Sequence, residues 1–310
     1  MKKIIVLIGS VLTLFLFQGC KENDGFKKTK SGILYKIISD GKGQLVKRGE
    51  FIKVNFEQKI NFDNTKKDSL LGTSYTGMPT YAPVDSVGDV YNPAEIFPLL
   101  REGDSVVVVM LGDTIAKKNG ELPPFMKRKD KITFHLKVLQ ILPTEELVRK
   151  DQQQLITTQK EKEVKAIEVY LKSKNINALK TPNGVYYEIL QQGTGPKADS
   201  GKLVSVNYTG YTFDGKFFDS NIDSTKQVQP HPLAPFEFIA GVRGSIAGML
   251  EAIQYFNKGG KGRLFVPSML GYGSNPPPGA PFKAFDNLIF EIELLDVKAA
   301  PTGGPQVPQF

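Results

Sequence analysis

A short sequence motif occurs twice in this chain at a fixed separation, and no other feature limits the possible folds so strongly. Ser31-Gly32-Ile33-Leu34-Tyr35-Lys36-Ile37 returns as Asn183-Gly184-Val185-Tyr186-Tyr187-Glu188-Ile189. Gly41 and Gly43 return as Gly193 and Gly195, and Val54-Asn55-Phe56 as Val206-Asn207-Tyr208. Every pair is 152 residues apart. Near the far ends, Ile132-Thr133-Phe134-His135-Leu136 is similar to Leu288-Ile289-Phe290-Glu291-Ile292. A constant register of this kind indicates two copies of one domain. Both copies consist of short β-rich segments bounded by Gly, Pro, Asn and Asp, which predicts antiparallel sheets. In the second copy Val204, Val206 and Tyr208 alternate with Leu203, Ser205 and Asn207. Leu288, Phe290, Ile292 and Leu294 alternate with Ile289, Glu291 and Glu293. Each strand is therefore expected to bury one face.

The stretch between the copies has a different texture. Pro143-Thr144-Glu145-Glu146 reads as a helix start, with Thr144 as N-cap and acidic residues in the first turn. The polar, Gly-free stretch runs to Lys174, with Val164, Ile167 and Leu171 at helical spacing and Lys172 and Lys174 near its C-terminal end. About 30 helical residues reach ~45 Å. Such a helix either separates the copies as a spacer or packs its narrow apolar stripe on one of them.

At the N-terminus, Lys2 and Lys3 precede the apolar run Ile4 to Phe17, which ends at Gln18-Gly19-Cys20. This run is shorter than the ~20 residues a membrane-spanning helix needs, so it reads as a signal-peptide core. Cys20 is the single cysteine, which rules out an intramolecular disulfide framework. Its place at the end of the run resembles a bacterial lipoprotein cleavage site, which implies lipidation at Cys20, a membrane anchor and a place in the cell envelope. That place is expected at the outer membrane, facing the periplasm or the exterior. The formal charge of +8, or +6 once Lys2 and Lys3 leave, is dispersed without a basic stripe. It reads as solvated surface and implies no nucleic-acid partner. His135 and His231 lie far apart and lack cysteine partners, so neither a metal site nor a cofactor is expected.

The second copy carries four blocks in order: Val206 to Asn221, Pro235 to Ile253, Gly259 to Gly273 and Asn287 to Val297. Together they resemble the FKBP-type peptidyl-prolyl cis-trans isomerases. The resemblance implies an α+β fold: two FKBP-like domains, each an antiparallel β-sheet wrapped on a short helix, joined by a long helix. The expected division is a signal peptide over 1–19, a tether over 20–30 and a degenerate copy over 31–142. A linker helix over 143–178, an isomerase domain over 179–298 and a disordered tail over 299–310 complete it.

The chemistry implied is rotation about an X-Pro bond. Twisting that amide breaks resonance against a barrier of ~18–20 kcal/mol, yet no bond is made and no proton need move. The twisted amide has lost the charge separation of the planar one. A dry aromatic pocket therefore disfavours the ground state relative to the twisted state, and a hydrogen bond that pins one carbonyl adds orientation. Such a site is rich in Phe and Tyr and poor in titratable groups.

By the resemblance, Tyr208, Phe218, Phe236, Ile246, Met249 and Phe290 line the proline pocket. Asp219 is its acidic residue, Tyr272 donates its hydroxyl to a substrate or macrolide carbonyl, and the Ile246 N–H is a second donor. Ser245 and Phe282 stand at the rim. Two departures stand out. Met249 replaces the usual tryptophan floor, keeping it apolar but flexible and without an indole N–H, and Ser245 replaces a branched aliphatic. Asp223 to Pro235 is also longer than usual, and Gln229-Pro230-His231-Pro232 is expected to form an extra lip.

In the first copy Phe56 stands for Tyr208, and Asp68-Ser69-Leu70-Leu71-Gly72 for Gly215-Lys216-Phe217-Phe218-Asp219. The loop bearing Tyr272 has no clear counterpart near Leu111-Gly112-Asp113. This copy is expected not to catalyse. The function implied is an isomerase assisting the folding of exported or envelope proteins by acting on their X-Pro segments, with a rapamycin-type macrolide as a ligand. The alternative is a non-catalytic FKBP-like chaperone or scaffold lipoprotein of a gliding or secretion apparatus.

Overall fold

The computed structural model describes residues 25–85 and 91–300. The leader, Cys20 and the tail beyond Ala300 lie outside the described residues. The first sheet is built from β1 (Lys27–Lys28), β2 (Leu34–Ile38), β3 (Phe51–Asn61), β4 (Asp68–Thr73), β5 (Thr80–Pro83), β6 (Ser105–Leu111) and β7 (Lys131–Leu142). α1 (Gly112–Asn119) follows β6. The second sheet is built from β8 (Leu179–Lys180), β9 (Tyr186–Gln191), β10 (Lys202–Thr212), β11 (Phe217–Ser220), β12 (Phe236–Ile239), β13 (Lys261–Val266) and β14 (Leu288–Ala299). Between them runs α2 (Glu145–Ser173), and α3 (Ala247–Ala252) lies between β12 and β13.

The sequence repeat is a repeat of topology. The first sheet has the order β1-β2-β6-β7-β3-β4, with β5 also paired to β3. The second has β8-β9-β13-β14-β10-β11, with β12 paired to β10. Each strand of one has its counterpart at the same place in the other, and all pairings are antiparallel. β1 pairs Lys27 with Tyr35, so the first sheet starts inside the stretch expected as a tether. β14 likewise continues to Ala299, into the stretch expected as a tail. The α+β architecture of two antiparallel sheets joined by a long helix is the one the sequence implied.

Thr144 caps α2 by accepting the Leu147 N–H at 3.3 Å. The helix is not a bare spacer. Ile167 and Leu171 are buried against Tyr186, Phe265 and Ile289 of the second sheet, with Val164 and Tyr170 packed alongside. This changes the expected reading of β14. Leu288, Phe290, Ile292 and Leu294 face the main core as the alternation predicts, but Ile289 on the opposite face is also buried. Ile289 is covered because α2 lies on that face, which alternation within one strand cannot reveal. Nearer its start, α2 meets the first sheet, where Asp151 pairs with Lys53 at 2.7 Å and accepts a hydrogen bond from the Tyr81 hydroxyl.

Candidate active site

The second sheet curls around α3, and their apolar faces leave a cavity of about 290 Å³. It is lined by Tyr208, Asp219, Phe236, Ser245, Ile246, Met249, Tyr272 and Phe290. β10 supplies Tyr208, β11 Asp219, β12 Phe236 and β14 Phe290. Met249 comes from α3 and is 2% exposed. Gly248 beside it lets α3 sit close on β13, since a Cβ there would stand 2.5 Å from Val266 Cγ1. Ile246 is the N-cap residue of α3. Its own N–H precedes the helical ladder, has no intrahelical acceptor and donates to no group among the described residues.

The structure brings seven of the eight expected pocket residues to this cavity, together with the half-buried Ser245. Phe218 is the exception. It is buried behind the cavity, edge-on to Phe282, Phe290 and Tyr272 at ring-centroid distances of 5.0, 5.6 and 6.4 Å. Gly210 is required here because a Cβ would meet Phe218 Cζ at 2.5 Å. Phe218 and Phe282 instead line a neighbouring cavity of about 170 Å³ that shares Asp219 and Tyr272 with the first. Its outer wall is Val228, Gln229 and His231 from the long β11–β12 connection, facing Pro277, Pro278 and Ala280.

One carboxylate organises the polar edge. Asp219 Oδ2 accepts the Tyr208 hydroxyl at 2.6 Å, and Oδ1 accepts the Ser220 N–H at 2.8 Å. His231 Nε2 lies 2.7 Å from Oδ1, closing the lip over the carboxylate. Burial first, and then the bond to Asp219, push the Tyr208 phenol far above its usual range. Burial, with the negative Asp219 nearby, also raises the Tyr272 phenol. Both hydroxyls therefore stay protonated as donors at neutral pH. His231 is raised from 6.5, chiefly by its hydrogen bond to Asp219. The lining thus combines an apolar floor and aromatic walls with two protonated phenols, one of them tied to the carboxylate.

Three supporting residues were not identified from the sequence as parts of the site. Asn221 is buried, accepts the Tyr208 N–H at 2.6 Å and donates to the Val206 and Ala234 carbonyls at 2.9 Å each. Nothing in its sequence context marks this. His231 was expected only as part of a lip, with no partner. Glu163 on α2 is 3% exposed and bonded to the segment that leads to Tyr272. Its trace was present in the sequence, since it stands four residues before Ile167 on the apolar stripe.

In the first copy, Gly72 pairs with Gln58 where Asp219 pairs with Gly210. The Phe56 N–H donates to Ser74 Oγ at 2.9 Å, as the Tyr208 N–H does to Asn221. The backbone scheme is kept there, while the phenol and the carboxylate are absent.

Fold and site define a class: an α+β protein in which a curved antiparallel sheet and a short helix enclose an aromatic pocket with phenolic donors at its edge. The family model of the FKBP-type peptidyl-prolyl cis-trans isomerase matches residues 195–295. The FK506-binding protein of Neisseria meningitidis serogroup B is 37% identical over 114 residues, which are 37% of this chain and 96% of that protein. The FKBP-type peptidyl-prolyl cis-trans isomerase FkpA of Escherichia coli K12 is 34% identical over 134 residues, 43% of this chain and 44% of the relative. Outer membrane protein MIP of Legionella longbeachae is 37% identical over 119 residues, 38% and 46% of the two chains. This chain belongs to the FKBP-type peptidyl-prolyl cis-trans isomerase family. It spans less than half the length of FkpA and of MIP.

Proposed function

We propose that this protein is a peptidyl-prolyl cis-trans isomerase that acts on X-Pro segments of envelope or exported proteins. The observation that carries the reading is the 290 Å³ cavity, where four aromatic rings surround an apolar floor and the only titratable groups are two phenols and one carboxylate. The proline ring sits on Met249 between Phe236 and Phe290. Tyr272 holds the carbonyl that stays fixed, and the Ile246 N–H offers a second donor. The surrounding rings favour the less polar twisted amide. Asp219 keeps Tyr208 in place through their 2.6 Å bond.

In the same reading, residues 179–298 catalyse and residues 31–142 are a non-catalytic copy, joined by the helical segment 143–178. Residues 1–19 are a signal peptide, and Cys20 carries the lipid that holds the protein at the envelope. The charged leader, its short apolar run and the single cysteine support the anchor, as does the outer-membrane name of the Legionella relative.

The test is acceleration of X-Pro isomerisation in a tetrapeptide by the chain from Lys21 onward, measured at low temperature, with a rapamycin-type macrolide as competitor. Tyr272→Phe and Asp219→Leu are expected to lower turnover about tenfold or more, as loss of a transition-state contact does, without unfolding the protein. An unchanged rate in both variants refutes the site. If the wild-type chain suppresses aggregation of an unfolded client but accelerates no peptide, a holding protein replaces the isomerase. For the anchor, Cys20→Ala is expected to abolish metabolic labelling by palmitate and release the protein from membranes. Retained labelling refutes it.

A further inference from the structure

We infer that Glu163, on a helix outside the family match, is a positioning residue for Tyr272; this rests on the isomerase reading above. Glu163 is 3% exposed, and a carboxylate in such a place must be fully hydrogen-bonded to be tolerated. Its Oε1 accepts the Ser268 hydroxyl at 2.5 Å and the Gln159 side-chain N–H at 2.8 Å, and its Oε2 accepts the Met269 N–H at 2.9 Å. Its backbone carbonyl accepts Asn287 Nδ2 at 3.0 Å, while Asn287 Oδ1 accepts the Ser268 N–H at 3.1 Å. The helix thus grips Ser268 and Met269 both directly and through Asn287.

The grip continues to Tyr272. The Ser268 carbonyl accepts the N–H groups of Gly271 and Gly273 at 2.8 Å each, on either side of the tyrosine. The Gly273 carbonyl in turn accepts the Phe285 N–H at 2.8 Å. Gly271-Tyr272-Gly273 has little rigidity of its own, because glycine admits many backbone conformations, and Gly273 sits at φ +56°. The position of the Tyr272 hydroxyl is therefore set from outside the tripeptide, by the packing of its ring against Phe218 and Phe282 and by the backbone anchored at Ser268. Ile167 and Leu171 hold α2 on the second sheet, which gives the carboxylate a rigid base. Packing alone does not call for an acid here, since an aliphatic residue would serve the stripe at less desolvation cost.

The test uses the chain from Lys21 onward with Glu163→Gln, which replaces one of the two acceptor oxygens by an N–H, so that the Ser268 hydroxyl, the Gln159 N–H and the Met269 N–H share a single oxygen. Glu161→Gln, exposed on the same helix, is the control. Glu163→Gln is expected to lower kcat/KM roughly tenfold, since displacing a catalytic contact by ~1 Å costs up to about a hundredfold. In a Tyr272→Phe background the same substitution is expected to cost nothing further, because both act through one hydroxyl. Amide exchange across residues 268–273 is expected to quicken in Glu163→Gln and not in Glu161→Gln. Ser268→Ala, which removes a single donor, gives a smaller loss in the same direction if Glu163→Gln folds poorly. Turnover equal to wild type, or losses that multiply with those of Tyr272→Phe, overturns the inference. If the wild-type chain has no turnover at all, the isomerase reading fails, and exchange across 268–273 alone decides. Faster exchange in Glu163→Gln supports the grip, and unchanged exchange overturns it.

Discussion

The contact between His231 and Asp219 predicts that the lip beside the pocket is held more firmly in acid than in base. Both ring nitrogens face oxygen: Nε2 lies 2.7 Å from Asp219 Oδ1, and Nδ1 lies 3.1 Å from the Pro232 carbonyl. A neutral imidazole has one N–H, whereas the imidazolium has two, so deprotonation gives up one of these bonds along with the charge attraction. The folded-state value is raised above the ordinary 6.5, first by the Asp219 hydrogen bond. The sign follows. The stabilisation is fully present below pH 6.5 and is lost as pH rises through the raised value. Its size is limited by exposure, at 37% for the His231 side chain and 28% for Asp219. Pairs this open contribute about 0.2–1 kcal/mol. The closed-to-open ratio of the lip therefore changes by less than about tenfold, the equivalent of 1.4 kcal/mol. The chain has two histidines, so proton NMR titration of the ring signals resolves His231 once His135→Gln has removed the other. The Val228 N–H, which donates to the Phe218 carbonyl at 3.1 Å, reports opening by hydrogen exchange after correction for intrinsic rates. Asp219→Asn is expected to bring the His231 titration back toward 6.5. A His231 that titrates at or below 6.5 in the wild-type chain refutes the reasoning.

Tyr208→Phe is expected to leave the fold intact and cost about 1.5–3 kcal/mol, the worth of a hydrogen bond to a charged group, because Asp219 keeps Ser220 and His231. Denaturant unfolding checks this, and a loss above about 3 kcal/mol contradicts it. Ile167→Ala removes a side chain with 0% exposure between α2 and the second sheet, so a loss of about 2–5 kcal/mol is expected. A cost below about 1 kcal/mol shows that the helix detaches in solution. Gly210→Ala pushes a methyl group to within 2.5 Å of Phe218 Cζ. About 1–3 kcal/mol of overpacking is expected, together with reduced peptide turnover, since the displaced ring presses on Tyr272 and Phe290. Wild-type turnover in this variant contradicts that coupling.

The sequence reveals the sheets well because a repeat in constant register marks both copies as one fold, and because Tyr208, Phe236 and Phe290 of the pocket lie within apolar strand patterns. Tyr208 and Phe290 belong to alternating faces that point to one core. What stays hidden comes from contacts between distant segments. The burial of Ile289 depends on α2, whose stripe is legible but whose landing surface is not. Phe218 looks like one more lining ring, and only the assembled loops show that it lines the neighbouring cavity with Phe282 instead. His231 meets Asp219 through a connection whose path no periodicity constrains. Glu163 is only half legible: its place four residues before Ile167 puts it on the buried face of α2, but nothing in the sequence shows what its carboxylate meets there.

The two copies also separate what the fold needs from what the pocket needs. Both keep the strand order, and both tie the backbone of the third strand to a polar side chain just beyond the fourth, Ser74 in one and Asn221 in the other. Those features survive in the copy without the phenol–carboxylate pair, so they serve the sheet. The differences are concentrated elsewhere. Gly72 replaces the carboxylate, Phe56 the phenol, and α1 follows β6 where the Tyr272 loop follows β13. These changes remove the phenol–carboxylate pair and the loop gripped by Glu163, while leaving the apolar core closed. A buried charge such as Glu163 adds little net stability. Its presence on α2, against the loop the first sheet lacks, is accounted for by the placing of Tyr272 rather than by the fold.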